Sequence, residues 1–143
     1  REKRRGREGG KKGEERRGVE TRRRRHKRRT SDWSADVGST DLLEHRKTAI
    51  RNQSLAEARI PVGGETMEHY HPKAEEIYYI THGCGRMRLG QAEREVRPGD
   101  AIAIPPGQAH KLWNTGDEPL RLLCCCAPGY EHDDTVLFEV DEA

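Results

Sequence analysis

Apolar and polar residues alternate in short runs along most of this chain, with glycine or proline punctuating them. From Ile50 to Ile60 the even positions read Ile, Asn, Ser, Ala, Ala, Ile and the odd ones Arg, Gln, Leu, Glu, Arg. A period of two marks a half-buried strand, here with small residues facing in, and Pro61-Val62-Gly63-Gly64 ends it. Thr66 to His71 reads as extended, Pro72 to Glu75 as a turn, and Ile77-Tyr78-Tyr79-Ile80 as the return strand with Glu76 at its start. Arg86–Leu89 and Glu93–Val96 flank a Gly90-Gln91 turn. Ala101–Ile104 leads into a tight Pro105-Pro106-Gly107 turn and a strand carrying His110. Leu120–Ala127 runs to Pro128-Gly129, and Thr135–Val140 reads as a last strand or an edge cover. Before these, Thr30–Arg46 is a polar lead-in with an anchor at Trp33 and an apolar pair at Leu42-Leu43. No helical period of useful length appears. Many short strands with turn signals between them predict an all-β sandwich or barrel.

Charge divides the chain in two. Residues 1–29 carry 16 Lys+Arg against 5 Glu, a net of +11; the totals of 27 and 25 leave 11 and 20 elsewhere, a net of −9. The overall +2 therefore hides a basic tail on an acidic domain. Val19 is the tail's one aliphatic residue. Too little apolar surface exists there to offset the entropy of ordering, so residues 1–29 are expected to be a disordered basic tail and 30–143 the β domain. A run such as Arg22–Arg25 can release counterions from nucleic acid, but no aromatic residue interleaves with the arginines to stack on bases. A solvated extension is the favoured reading, and nucleic acid is a partner only if the tail is functional. No apolar core of a signal peptide precedes Trp33, and no run approaches a membrane span, so the expectation is a cytoplasmic protein with no membrane partner.

Candidate chemistry concentrates between Gly63 and Gly83. His69 and His71 are two apart, so on a strand both imidazoles point to one side, with the Glu76 carboxylate expected on the adjacent strand. Two imidazole nitrogens and a carboxylate oxygen form a mixed set suited to a divalent transition metal. His26, His45, His82 and His132 lie outside this pattern and read as surface residues. The four cysteines, Cys84 and Cys124-Cys125-Cys126, contain no CxxC pair, which argues against a zinc knuckle. Cys124 and Cys126 share one strand face, but pattern alone does not say which face is inward. They read as small buried residues, with a place on a cavity wall as the alternative.

These residues carry a family resemblance. Gly63, His69, His71, Glu76 and Gly83 fill G-x5-H-x-H-x(3,4)-E-x6-G, and Gly99, Pro105, Gly107, His110 and Asn114 fill G-x5-P-x-G-x2-H-x3-N. Together they resemble the two motifs of the cupins, with the fifteen residues Cys84–Pro98 between them, as in small single-domain members. The resemblance covers about Trp33 to Phe138. It implies a jelly-roll β-barrel, and it adds His110 to His69, His71 and Glu76 as metal ligands. Three neutral histidines and one carboxylate leave a divalent ion with a net charge of +1, suited to an anionic oxygen. Manganese, iron, nickel, zinc and copper all accept such a set. Dioxygenation, decarboxylation and sugar or keto-sugar isomerisation are the activities implied. Strand parity puts Tyr78 and Ile80 on the inward face with Glu76, and Leu112 with His110 while Trp113 points away. Tyr78 is the candidate proton donor, beside its reading as a core tyrosine. Three function classes follow: a metal-dependent oxidoreductase, isomerase or decarboxylase of a small oxygenated metabolite; a metal- or metabolite-binding module without turnover; and a nucleic-acid-associated protein acting through its tail. The resemblance also implies a homodimer, with Ile50–Ile60 as the expected pairing edge.

Overall fold

A computed structural model describes residues 37–138. The expected tail at 1–29, the Trp33 anchor, His26 and the end of the last expected strand lie outside the described residues. Ten strands run in chain order: β1 Gly38–Leu43, β2 Ser54–Ile60, β3 His69–Tyr70, β4 Glu75–His82, β5 Gly85–Leu89, β6 Ala92–Val96, β7 Ala101–Ile104, β8 His110–Asn114, β9 Leu120–Ala127 and β10 Val136–Leu137. A 3-10 turn, His132–Asp134, precedes β10. The strands form two five-stranded sheets, ordered β1-β2-β9-β4-β7 and β10-β3-β8-β5-β6, and every pairing is antiparallel. This is the all-β jelly roll expected from the strand pattern and the cupin resemblance.

Alternation sets the core. Glu76, Tyr78 and Ile80 of β4 point inward while Ile77 and Tyr79 point out. Leu120, Leu122, Cys124 and Cys126 of β9 and His110, Leu112 and Asn114 of β8 also face in. The apolar part of the core contains Ile60, Tyr78, Ile80, Leu112, Leu120 and Leu122, all at 0 or 1 % exposure. Burial of each such side chain contributes about 1.5–3 kcal/mol, which holds the two sheets face to face. Asn114 is structural: its Nδ2 donates to the Ile60 carbonyl at 3.0 Å and the Glu118 carbonyl at 2.9 Å, while its Oδ1 accepts from the Gly116 N–H at 3.0 Å.

Several sequence expectations change. The strand expected from Ile50 begins at Ser54. Residues 44–53 instead curl around Arg51, whose guanidinium donates to the carbonyls of His45, Thr48 and Ile50 at 3.3, 2.7 and 3.1 Å. Neither is β2 an edge: it lies between β1 and β9. The covering strand, β1, falls within the expected polar lead-in. Its inward Ser39 is small and polar, so alternation there is faint to a hydrophobicity reading. Most consequentially, β3 and β4 are not neighbours but belong to opposite sheets. The Pro72–Ala74 link crosses between layers, held by the Asp134 carboxylate, which accepts from the Lys73 N–H at 3.0 Å and the Ala74 N–H at 2.9 Å.

Candidate metal centre

The crossovers bring four side chains together at one end of the sandwich. His69 on β3 stands directly opposite His110 on β8, and His71 follows β3 by one residue. Glu76 reaches them from β4 in the facing sheet. The link between β7 and β8 is drawn in by the Gly107 N–H, which donates to the His71 carbonyl at 2.7 Å. Gly107 turns there with φ +78, a left-handed conformation that glycine adopts without a Cβ clash. One ligating atom from each of His69, His71, Glu76 and His110 lies within 4.8 Å of the others, and all four residues are buried.

Hydrogen bonds outside the cluster fix how the imidazoles face. His69 Nδ1 donates to the Met67 carbonyl at 2.8 Å, His110 Nδ1 to the Gln108 carbonyl at 2.9 Å and His71 Nδ1 to the Asp134 carbonyl at 3.1 Å. A carbonyl can only accept, so each Nδ1 carries the proton and each Nε2 presents a lone pair inward. Glu76 Oε2 lies 3.0 Å from His71 Nε2 and 3.4 Å from His110 Nε2. Yet both Glu76 Oε2 and His110 Nε2 are buried without a partner in hydrogen-bond geometry. Lone pairs and a carboxylate aimed at one point repel unless a cation or a proton lies among them. The donor set therefore fits a divalent transition metal held by nitrogen and oxygen.

Electrostatics agree. Burial, followed by the nearby His110 ring, pushes His69 down to about 4, which keeps it neutral. Burial also acts downward on His71, but the adjacent Glu76 carboxylate outweighs it and the pKa rises. For Glu76 burial pulls upward, but His110 and then His71 overcome it and hold the carboxyl at about 2.

The walls follow the expected parity. Tyr78 is 1 % exposed, packs edge-on to the His110 ring at 5.7 Å between centroids, and its hydroxyl has no hydrogen-bond partner. Burial pushes that hydroxyl well above its usual range, so it stays protonated. Cys124 and Cys126 face in and Cys125 faces out, which decides the face that pattern left open. His82 and His132 are exposed and His45 is half-buried beside Glu131, all apart from the cluster. Sequence reading passed over Asp134. It is 63 residues from His71, and a backbone carbonyl leaves no mark in a motif. A separate groove of about 500 Å³ between β6 and β7 shares no residue with the cluster. Among the described residues no helix is long and apolar enough to cross a membrane.

Comparison with known proteins places this arrangement. An uncharacterized protein of Methanocaldococcus jannaschii is 52% identical over 87 residues, 61% of this chain and 70% of that protein. The glucose-6-phosphate isomerase of Thermococcus onnurineus is 40% identical over 75 residues, and the chain spans only 40% of that enzyme's length, using 48% of its own. The crystal structure of a predicted oxalate decarboxylase from Thermotoga maritima superposes with a TM-score of 0.60 at 26% identity, covering 64% of this chain and 80% of that one. The model of the cupin domain matches residues 56–126, a stretch that contains all four clustered residues. Both motifs, the jelly-roll strand order and these likenesses agree, and the chain belongs to the cupin family.

Proposed function

We propose that this chain is a metal-dependent enzyme acting on a small oxygenated metabolite, with His69, His71, Glu76 and His110 holding a divalent transition metal. The observation that carries this reading is the convergence of four buried ligating atoms within 4.8 Å, two of them without a hydrogen-bond partner. Bound there, such an ion supplies Lewis acidity towards an anionic substrate oxygen. The chain's own residues do the rest. Three backbone carbonyls lock the imidazoles as Nε2 donors, and Glu76 lowers the charge at the centre. Tyr78, whose ring packs against His110, offers a buried hydroxyl without a hydrogen-bond partner, a proton donor that stays protonated at neutral pH.

The interior also bears on the substrate class. Buried polar and charged residues among those described are Ser39, Ser54, Thr66, His69, His71, Glu76, His110 and Asn114, with no lysine or arginine. A phosphorylated sugar would find no buried cation to neutralise its phosphate. A compact enolate, carboxylate or hydroxyketone that presents a single charge to the ion fits better, so isomerisation, decarboxylation or dioxygenation of such a molecule is the proposed chemistry. The cytoplasmic, homodimeric setting is part of the same proposal.

The test begins with metal content, by mass spectrometry, of protein purified without chelator or immobilised nickel. Near-stoichiometric metal is expected in the parent and its loss in the His69→Ala/His110→Ala double variant. The parent loaded with that metal should then turn over a member of a panel of small keto, hydroxy and dicarboxylic acids, and the double variant should not. A parent that takes up none of manganese, iron, nickel, zinc or copper would refute the reading. Metal without turnover would leave a binding module.

A further inference from the structure

Ser54, Cys126 and Glu76 form a row across three adjacent strands. Cys126 of β9 stands directly opposite Ser54 of β2 on one side and Glu76 of β4 on the other. All three are buried and face inward, at 9, 3 and 6 % exposure. Directly opposed residues in an antiparallel pair hold their Cβ atoms about 4.5–5.5 Å apart, so the thiol sits between a hydroxyl and a carboxylate. That register puts the thiol within hydrogen-bonding reach of both neighbours.

The direction of these bonds follows from what each group can do. A carboxylate only accepts, so the single thiol proton goes to Glu76. Ser54 Oγ accepts from the Tyr130 N–H at 2.8 Å, which leaves its own proton for the Cys126 sulfur. The chain of donors runs from the Tyr130 N–H through Ser54 and Cys126 to Glu76. On Glu76 it ends at a particular oxygen. Oε2 faces His71 and His110 and has no hydrogen-bond partner, which leaves the other carboxylate oxygen for the thiol.

We propose that Cys126 is a positioning residue whose thiol holds one carboxylate oxygen of Glu76, so that Oε2 alone is presented to the ion and the glutamate ligates through a single oxygen. The inference rests on the metal-centre reading above. A neutral donor suits this task, because a lysine or arginine at that position would compensate the Glu76 charge that the ion needs. A thiol carries one proton and no charge, so it can donate to the carboxylate without competing with the ion. The middle cysteine of the triplet, Cys125, points away and takes no part.

The test uses cobalt(II), whose visible absorption reports coordination number and symmetry. Cobalt affinity, measured by chelator competition, should fall about tenfold in Cys126→Ala, the low end of the usual cost of losing a partner that orients a ligand. The visible spectrum should change as Glu76 becomes free to ligate through both oxygens. Cys126→Ser restores a donor at the same place, and both quantities should return towards the parent's. A purely structural role for Cys126 would lower thermal stability without moving the spectrum. A second measurement needs no metal. The infrared S–H band of Cys126, assigned by its disappearance in Cys126→Ser, should lie below those of the other thiols and rise in Glu76→Gln. Parent-like affinity and spectrum in Cys126→Ala, or an S–H band that Glu76→Gln leaves in place, would overturn the proposal. A parent chain that binds no cobalt would overturn the metal reading and this inference with it.

Discussion

Tyr78 carries two readings that one substitution separates. Its hydroxyl is buried without a partner, and such a group costs about 1–3 kcal/mol of desolvation with no hydrogen bond to offset it. Tyr78→Phe removes the hydroxyl and keeps the ring against His110. The expected result in chemical denaturation is unchanged or higher stability, by up to about 1 kcal/mol. If Tyr78 donates a proton to substrate, turnover falls at least about a hundredfold in the same variant. Full activity in that variant would make it an ordinary core tyrosine. At this scale the sequence was highly legible. The shared side of His69 and His71 and the inward parity of Tyr78 and Leu112 follow from spacing, because a strand repeats every two residues, while Glu76 and His110 joined them through the motifs of the family resemblance. What escaped notice were backbone acceptors such as Met67, Gln108 and Asp134, since any residue type supplies a carbonyl.

At the scale of elements, the crossover from β3 to β4 decides where Glu76 sits. Asp134 holds that crossover with its carboxylate and His71 with its carbonyl. Asp134→Ala leaves the Lys73 and Ala74 N–H groups without their charged acceptor. The expected cost is about 1.5–3 kcal/mol of stability, with metal affinity reduced about tenfold through a misplaced His71. Denaturant titration and chelator competition on the same samples check both, and Asp134→Asn should recover part of each. The sequence made this link look like a hairpin turn. Pro72 and the short polar run fit either a hairpin or a layer change, and local chemistry does not choose between them. The pairing partners of β4 do: β9 lies on one side and β7 on the other, which leaves no place for β3.

Across the whole molecule, two expectations can be put to the test. The first is acid sensitivity of the metal-free protein. His69, held at about 4 against an ordinary 6.5, binds its proton less tightly when folded, so its contribution is complete above 6.5 and is lost as pH falls towards 4. Glu76, held at about 2 against 4.5, contributes fully above 4.5 and loses that contribution as pH falls to 2. His71, raised, acts oppositely: its contribution is present below 6.5 and lost as pH rises through its folded value. Between pH 6.5 and 4 His69 dominates, and the stability of chelator-treated protein is expected to decline by on the order of 3 kcal/mol. Denaturation midpoints across that range test it, and a His69→Gln variant should flatten the decline.

The second is the expected homodimer. β2, once the candidate pairing edge, is covered on both sides. Ile77 and Tyr79, 50 and 44 % exposed on the outer face of β4, and the adjoining edge of β7, unpaired among the described residues, now offer a second copy an apolar surface. Light scattering should find a dimer at micromolar concentration, and an Ile77→Lys/Tyr79→Lys variant should be monomeric with its metal affinity intact. A parent that is monomeric throughout would end that expectation.

Local physics carried most of the identity of this protein. Strand parity, turn residues and the spacing of three histidines and one glutamate depend on neighbours along the chain, and these are visible in one dimension. The strand pattern and the motif spacing together were enough to name the family, the barrel and four of its inward-facing polar residues. Other properties depend on which strands lie side by side, and no alternation encodes that. They include the covering of β2 by β1 and the placement of Glu76 in the sheet opposite its histidines. The Asp134 carbonyl behind His71, and the row from Ser54 through Cys126 to Glu76, belong to the same class. Each joins residues tens of positions apart, and the energy that selects it is the burial of two whole sheets against each other rather than any preference of the segments themselves.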